Sequence, residues 1–298
     1  MQSHLELARG KWRGILTAYG LEKFLSGQQC PCPICGGKDR FRFDDKDGNG
    51  MYFCNQCGAG NGFHLLMKTG GFSFRAACQA VERVVGKLQV DQPVRERKPR
   101  EQQLRDMQRA WDRARGGRNT PAERYLLSRG LKPILPDILR DALRASGTEM
   151  LARVTDPTGK LAQIHRTILT PEGEKIGRKL MPGEWPRGSA VQLLNWDEGP
   201  LGIAEGIETA LSAAILFNVP VWAALSADKL ASWCPPRGAT EVMIFGDNDA
   251  SFTGQHVAFE LARRLTSHGT EGRGLNVSVQ IPRCIGEDWN DVLLEHVS

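Results

Sequence analysis

The chain has 298 residues, of which 41% are hydrophobic and 24% charged, and it carries a formal net charge of +5 with a pI near 8.8. This length and apolar content suffice for two domains with buried cores and exclude wholesale disorder. The mild basic excess suits a polyanionic partner without demanding one.

The N-terminal MQSHLELARGKWRG lacks the apolar run of a secretory signal. Thr209–Ala227 is apolar enough to be mistaken for a membrane span, but Asn218 and Pro220 interrupt it. A buried helix, a turn and a buried strand explain it better. The expectation is a cytoplasmic protein with no membrane contact, a compartment that disfavours disulfides. The eight cysteines therefore need another role.

The first expected region, 1–88, supplies one. Cys32-Pro-Ile-Cys35 and Cys54-Asn-Gln-Cys57 form C-x2-C-x18-C-x2-C, a spacing suited to a structural zinc site. Each pair closes a tight turn that aims two thiolates at one ion, and four thiolates make a closed tetrahedral site. Cys30 competes with Cys32 for the same role, and His64 is a weaker alternative ligand. Between the two knuckles, Lys38-Asp-Arg40-Phe-Arg42-Phe alternates like a strand. Lys38, Arg40 and Arg42 then fall on one face and Phe41 and Phe43 on the other. The basic face suits phosphates or simply solvent. Phe74–Val85 has helical patterning.

A basic linker and helix are expected over 89–119. Asp91–Arg118 holds nine Lys/Arg against five Asp/Glu, and its start, QPVRERKPRE, reads as a hinge. Thr120-Pro121 marks a helix start, with threonine as N-cap and proline at the first position. Over 120–199 the strands LARVTD and LAQIHRTILT, separated by Pro-Thr-Gly and followed by Pro-Glu-Gly, form a meander that runs into a basic segment.

From 200 to 298 the rhythm becomes strand–helix alternation: LGIAEG before TALSAAILF, VPVWAAL before DKLASW, EVMIFGDND before a long helix, and LNVSVQIP before DWNDVLLEHV. This predicts an α/β architecture with a mostly parallel sheet covered on both faces. Glu205, the pair Asp247 and Asp249, and Asp288 with Asp291 all follow strands, so a parallel sheet brings them to one edge. Clustered carboxylates repel unless a cation neutralises them, and hard ions such as Mg²⁺ or Mn²⁺ take oxygen ligands. Such a site meets the needs of nucleotidyl transfer. Glu208 fits the simpler role of an acidic residue favoured at a helix start.

PCPICGGKDRFRFDDKDGNGMYFCNQCGAGNGFHLL resembles the zinc ribbon of phage- and plasmid-type DNA primases, and AEGIETALSA, FGDNDASFTGQ and DWNDVL resemble the three motifs of their TOPRIM domain. HRTILTPEG with RKLMPG resembles the segment that precedes TOPRIM in these proteins. The resemblance implies a multi-domain α/β chain: a small β zinc ribbon, then a primase core with a Rossmann-like TOPRIM sheet. It implies an acid/base role for Glu205, Mg²⁺ binding by Asp247, Asp249 and Asp288, and phosphate contacts from His165, Arg166 and Lys179. It also implies primer synthesis from nucleoside triphosphates on a single-stranded DNA template that the ribbon engages. Two positions depart from the pattern. Asn61 stands where such ribbons carry Asp, and Ala250–Gly254 lengthens the link after D-x-D, which shifts the expected helix start.

No G-x-x-x-x-G-K-[ST] loop occurs, so a separate replicative helicase is the expected partner. Two other functions share these motifs: a TOPRIM nuclease, and a non-catalytic zinc-ribbon protein that binds nucleic acid. A type IA topoisomerase is excluded, because Tyr19, Tyr52 and Tyr125 all precede the TOPRIM region.

Overall fold

In the computed structural model, residues 4–45, 47–88, 98–134, 138–139, 141–268 and 275–297 are described, and the chain divides into units 1–98 and 99–298. Of the expected hinge at 92–101, residues 92–97 lie outside the described residues, while Arg100 and Glu101 already belong to a helix.

The first unit opens with helices α1 (His4–Ala8) and α2 (Trp12–Ala18). An antiparallel sheet follows in the order β1 (Cys30–Cys32), β2 (Gly36–Phe43), β3 (Tyr52–Cys54) and β4 (Gly58–Gly60). Helices α3 (Gly62–Gly70) and α4 (Phe74–Val85) close the unit. Its core is aromatic. The ring of Phe41 stacks on Tyr52 at 5.3 Å, and Trp12 meets Phe63 edge-on at 4.8 Å. Trp12 lies so close to the start of α3 that a Cβ on Gly62 would sit 2.1 Å from its ring, and this approach requires glycine. Asn61 caps α3 by accepting from the His64 amide at 2.9 Å. Asparagine serves this role as well as aspartate does, so the first departure from the family pattern leaves the local fold intact.

The second unit begins with α5 (Arg100–Arg113), whose Met107 and Trp111 are buried against Leu151 and Ile164. Helix α6 (Pro121–Ser128) has the expected start: Thr120 accepts from the Glu123 amide, and Glu123 accepts in return from the Asn119 amide. This reciprocal cap satisfies the open amide of Glu123 and ties the residue before the N-cap to the first turn. The meander is β5 (Leu143–Ser146), β6 (Glu149–Thr155), β7 (Leu161–Leu169) and β8 (Lys175–Leu180). A short β9 (Ala190–Val191) joins it to the parallel strands β10 (Leu201–Ala204), β11 (Val221–Ala223), β12 (Glu241–Phe245) and β13 (Asn276–Gln280). Helices α7 (Ile207–Phe217), α8 (Ala227–Ala231), α9 (Thr253–His268) and α10 (Trp289–Val297) alternate with them.

All nine strands form one sheet, in the order β13-β12-β10-β11-β9-β6-β7-β8, with β5 on β6. The pairs among β13, β12, β10 and β11 are parallel, and pairing turns antiparallel at β9. Thr209–Ala227 resolves into α7, a left-handed turn at Asn218 and β11. Among the described residues no helix is long and apolar enough to cross a membrane.

The sheet is strongly curled. In a flat sheet, β8 would stand five strand spacings from β10, about 24 Å away. Instead Lys175 Nζ on β8 lies 2.8 Å from Glu208 Oε1, at the start of the helix that follows β10. Twist and coiling bring the antiparallel edge back over the ends of the parallel strands.

Candidate active site and metal centre

In the ribbon, Cys32, Cys35, Cys54 and Cys57 bring their sulfurs within 4.8 Å of one another. Cys32 Sγ lies 4.0 Å from Cys57 Sγ, and Cys35 Sγ lies 3.7 Å from Cys54 Sγ. Thiolates about 2.3 Å from a tetrahedral zinc are about 3.8 Å apart, so the quartet fits the ion. The amides of Ile34, Gln56 and Cys57 point at Cys32 and Cys54 sulfurs, as knuckle turns require. The left-handed φ values of Gly36 (70°) and Gly58 (77°) reverse the chain after each knuckle. Cys30 pairs with Phe41 across the sheet and, like His64, stands outside the quartet. On β2, Phe41 and Phe43 are buried, Lys38 and Arg42 are exposed and Arg40 is intermediate. Arg42 lies opposite the half-exposed Phe53.

In the second unit, Glu205, Asp247 and Asp288 line one cleft of about 180 Å³, together with Glu208, Arg129, Lys175, Arg178 and Asn290. Each carboxylate reaches it from the end of a parallel strand. Glu205 follows β10, Asp247 follows β12, and Asp288 follows β13 and caps α10 by accepting from the Asn290 and Asp291 amides. The loops are tied together by backbone hydrogen bonds. Asn248 donates to Glu287 O at 3.0 Å, Gly286 donates to Asn248 O at 2.7 Å, and Leu225 donates to Glu205 O at 2.7 Å. Asp249 accepts from the Gly254 amide through Oδ2 at 2.9 Å. Despite the longer link after D-x-D, α9 begins at Thr253, and a Cβ on Gly254 would lie 2.6 Å from Asp247 O.

Electrostatic strain concentrates on Asp247. Burial, then the charges of Asp288, Glu205, Asp249 and Asp291, push its carboxyl up to about 7. Its Oδ1 is buried without a hydrogen-bond partner. Burial also raises Glu205, against the pull of Arg178, and raises Asp288. A hard divalent cation suits this donor set: oxygen ligands, excess negative charge and one unsatisfied buried oxygen. No three of these carboxylates bring oxygens within 4.8 Å of one another; among the described residues only the cysteine quartet meets that test.

Glu208 plays a different part from that of a helix-start charge. Burial pushes its carboxyl up, but Lys175 and the Tyr125 hydroxyl outweigh burial and hold it below the usual range. It fastens α6 and β8 to α7.

The expected basic trio is divided by strand alternation. His165 is buried and does not line the cleft, but it lies within reach of the charges of Glu208, Arg178 and Lys175. Burial, aided by Arg178, Lys175 and Lys229 against Glu208, lowers its imidazole to about 4, so it is neutral at pH 7. Arg166 and Lys179 pair with each other across β7 and β8 on the opposite face, where Arg166 holds Glu149, with Nε 2.9 Å from Oε2. The cations beside the carboxylates are instead Arg129, Lys175 and Arg178. Sequence reasoning passed over all three. The adjacent Arg178 and Lys179 point to opposite faces, and only the pairing of Thr167 with Arg178 decides which one meets the cleft.

Comparison with known families bears on both units. Residues 27–63 match the zinc-binding domain of primase-helicase, and residues 200–298 match the Toprim domain. Residues 101–193 match a family described as a domain of unknown function (DUF7146). The chain therefore joins a primase-type zinc ribbon to a C-terminal Toprim domain, the pairing that its resemblance implied.

Three solved structures are similar over long stretches. The zinc-binding and RNA polymerase domains of Aquifex aeolicus primase share 15% identity, covering 99% of this chain and 83% of that one, with a TM-score of 0.45. The DnaG primase catalytic domain bound to single-stranded DNA shares 16%, covering 66% and 75%, with a TM-score of 0.46. The primase fragment of the bacteriophage T7 primase-helicase shares 15%, covering 90% and 95%, with a TM-score of 0.41.

Proposed function

We propose that the chain is a DNA primase of the phage or plasmid type, a nucleotidyltransferase that joins nucleoside triphosphates into short primers on single-stranded DNA. The observation that carries this reading is the meeting of Glu205, Asp247 and Asp288 in one cleft with Arg129, Lys175 and Arg178. Chain extension needs both kinds of charge: carboxylates to hold divalent cations, and cations to neutralise phosphate oxygens.

Asp247, Asp249 and Asp288 would hold Mg²⁺ or Mn²⁺, which when bound supplies Lewis-acid stabilisation to the reacting phosphate. Glu205 receives the proton of the attacking hydroxyl, its carboxyl held above the usual range by burial, against the pull of Arg178. Arg178 and Arg129 face the phosphates, while Lys175 is engaged by Glu208. Neutral His165 offers a hydrogen bond and no charge. The ribbon holds zinc as a structural ion, and Lys38, Arg40 and Arg42 grip template phosphates. A separate replicative helicase exposes the template.

The test is primer synthesis on single-stranded DNA with labelled nucleotides and Mg²⁺, comparing the native chain with Asp247→Ala. Short products that vanish in the variant are expected. A folded, zinc-loaded native chain that makes none on several templates refutes the reading, and template degradation identifies a nuclease instead.

A further inference from the structure

The residues that lengthen the link after D-x-D, Ala250–Gly254, fold back on the acids they follow. Asp249 O accepts from the Phe252 amide at 2.9 Å, and Phe252 takes a left-handed φ of 59°. Its ring is exposed, so core packing does not hold it in this rare conformation; the hydrogen-bonded turn does. Phe252 O then accepts from the His256 amide at 2.9 Å, the first bond of α9. The Gly254 amide reaches Asp249 Oδ2, and a Cβ there would press on Asp247 O. In this phase the helix aims position 255 at the D-x-D backbone. Gln255 Nε2 donates to Asn248 Oδ1 at 2.7 Å and to Asp249 O at 3.0 Å.

Asn248, the central residue of D-x-D, carries no charge but joins two acidic loops. Its Nδ2 donates to Pro282 O at 2.9 Å, in the loop that leads to Asp288. Its amide donates to Glu287 O, and its carbonyl accepts from the Gly286 amide. Each polar group of Asn248 is therefore engaged, and the two halves of its side chain face opposite loops. A side-chain amide can turn end for end. Gln255 decides which way this one stands: a donor on one side holds Oδ1 there and leaves Nδ2 for the Pro282 carbonyl. Gln255 itself cannot turn without setting its oxygen against two acceptors. Its Oε1 is left buried with no partner, an unfavourable arrangement that calls for an explanation.

We infer that Gln255 is a positioning residue of the carboxylate cluster. Acting through the Asn248 side chain, it fixes the D-x-D loop against the loop of Asp288, and so sets the affinity of the cleft for a divalent cation. This rests on the reading of the cleft as a cation site. Hydrogen-bond partners one step behind metal ligands orient those ligands, and losing one costs about 10–100-fold in metal affinity. The longer link serves this purpose, because its left-handed turn starts α9 where Gln255 meets Asn248.

The experiment measures Mn²⁺ binding to the full zinc-loaded chain by calorimetry. Gln255→Met keeps the length of the side chain, removes its donors and should weaken Mn²⁺ binding about tenfold or more. Asn248→Ala should weaken it at least as much. The double variant should stay within about twofold of Asn248→Ala alone, since one residue acts through the other. Arg264→Met is the control for stability. Arg264 lies on the same helix and donates from Nε to Ala231 O at 3.1 Å, so its loss should lower the melting temperature and leave Mn²⁺ binding unchanged. If Gln255→Met does not fold, Gln255→Asn, which keeps the amide but falls one methylene short of Asn248, carries the same expectation. In primer synthesis Gln255→Met should raise the Mg²⁺ concentration for half-maximal rate about tenfold and regain most of the native rate at saturating Mg²⁺. Equal Mn²⁺ binding by native and Gln255 chains overturns the positioning role and leaves the cation site standing. Losses that add in full in the double variant, or a matching loss in Arg264→Met, overturn it as well. A folded native chain that binds no Mn²⁺ removes the cation-site reading and this inference with it.

Discussion

Replacing Asp247 with asparagine removes the most strained charge of the second unit, and its effect on stability follows from the site. A carboxyl whose folded pKa lies above its unfolded value favours folding while protonated. That advantage is present in full below about pH 4 and is lost as pH rises through the folded value. For Asp247 that value is about 7, against about 3.9 in an unfolded chain, a gap equivalent to about 4 kcal/mol at most. Without divalent metal at pH 8, the native chain carries this penalty and Asp247→Asn does not. For a unit of this size the difference corresponds to a melting shift on the order of 10 °C. Thermal melts of both chains at pH 5 and pH 8, with and without Mg²⁺, test it. The variant should gain on the native chain between pH 5 and 8 in the absence of metal. Added Mg²⁺ at pH 8 should stabilise the native chain far more than the variant. Parallel pH profiles, or equal stabilisation by Mg²⁺, refute the argument that burial and four neighbouring carboxylates strain this residue.

Zinc removal should act on the first unit alone. Thiolate–zinc binding in small domains amounts to about 10–16 kcal/mol, which equals or exceeds the usual stability of a domain, about 5–15 kcal/mol. Chelation followed by limited proteolysis should degrade residues 1–98 and spare 99–298; loss of both units together contradicts the two-unit division. Asn290 is buried and donates to Arg129 O at 2.7 Å and to Ser212 Oγ at 2.9 Å. Asn290→Ala should cost about 2–4 kcal/mol in urea denaturation, since both acceptors lose a buried donor, and a cost under about 0.5 kcal/mol shows that the bonds are not worth making.

Local signals in the sequence carried much of this architecture. Cysteine spacing and glycine placement define the knuckles without reference to the rest of the chain. Phe74–Val85 was legible as a helix from its periodicity and is α4 to the residue. Thr120-Pro121 has the geometry its residue types imply. The strand–helix rhythm put Glu205, Asp247 and Asp288 at strand ends, and they line one cleft. The basic wall was not legible, because it depends on long-range events: the curl that returns β8 over the parallel strands, and a register that turns Arg178 inward and Lys179 outward. The seat of Glu208 was hidden for the same reason, since its partners Tyr125 and Lys175 come from α6 and β8.

The two halves of the sheet contribute opposite charges, and this explains why the loops around the cleft are cross-tied. Carboxylates free to move would splay apart and relieve their repulsion. Here Asn248, Gly286 and Glu287 bind two acidic loops to each other, and Leu225 binds the turn before α8 to Glu205, so the charges cannot escape by loop motion. The repulsion is instead expressed as the raised carboxyl of Asp247. On the proposed reading, a divalent cation is favoured there by its own attraction and by relief of that stored repulsion. Arg129 and Arg178, brought in from α6 and β8, reach the same cleft, yet neither has an ion pair with Glu205, Asp247 or Asp288 among the described residues. Direct ion pairs would have neutralised the site without a ligand. Keeping cations and carboxylates in one cleft but unpaired leaves both available, one set for metal and the other for phosphate.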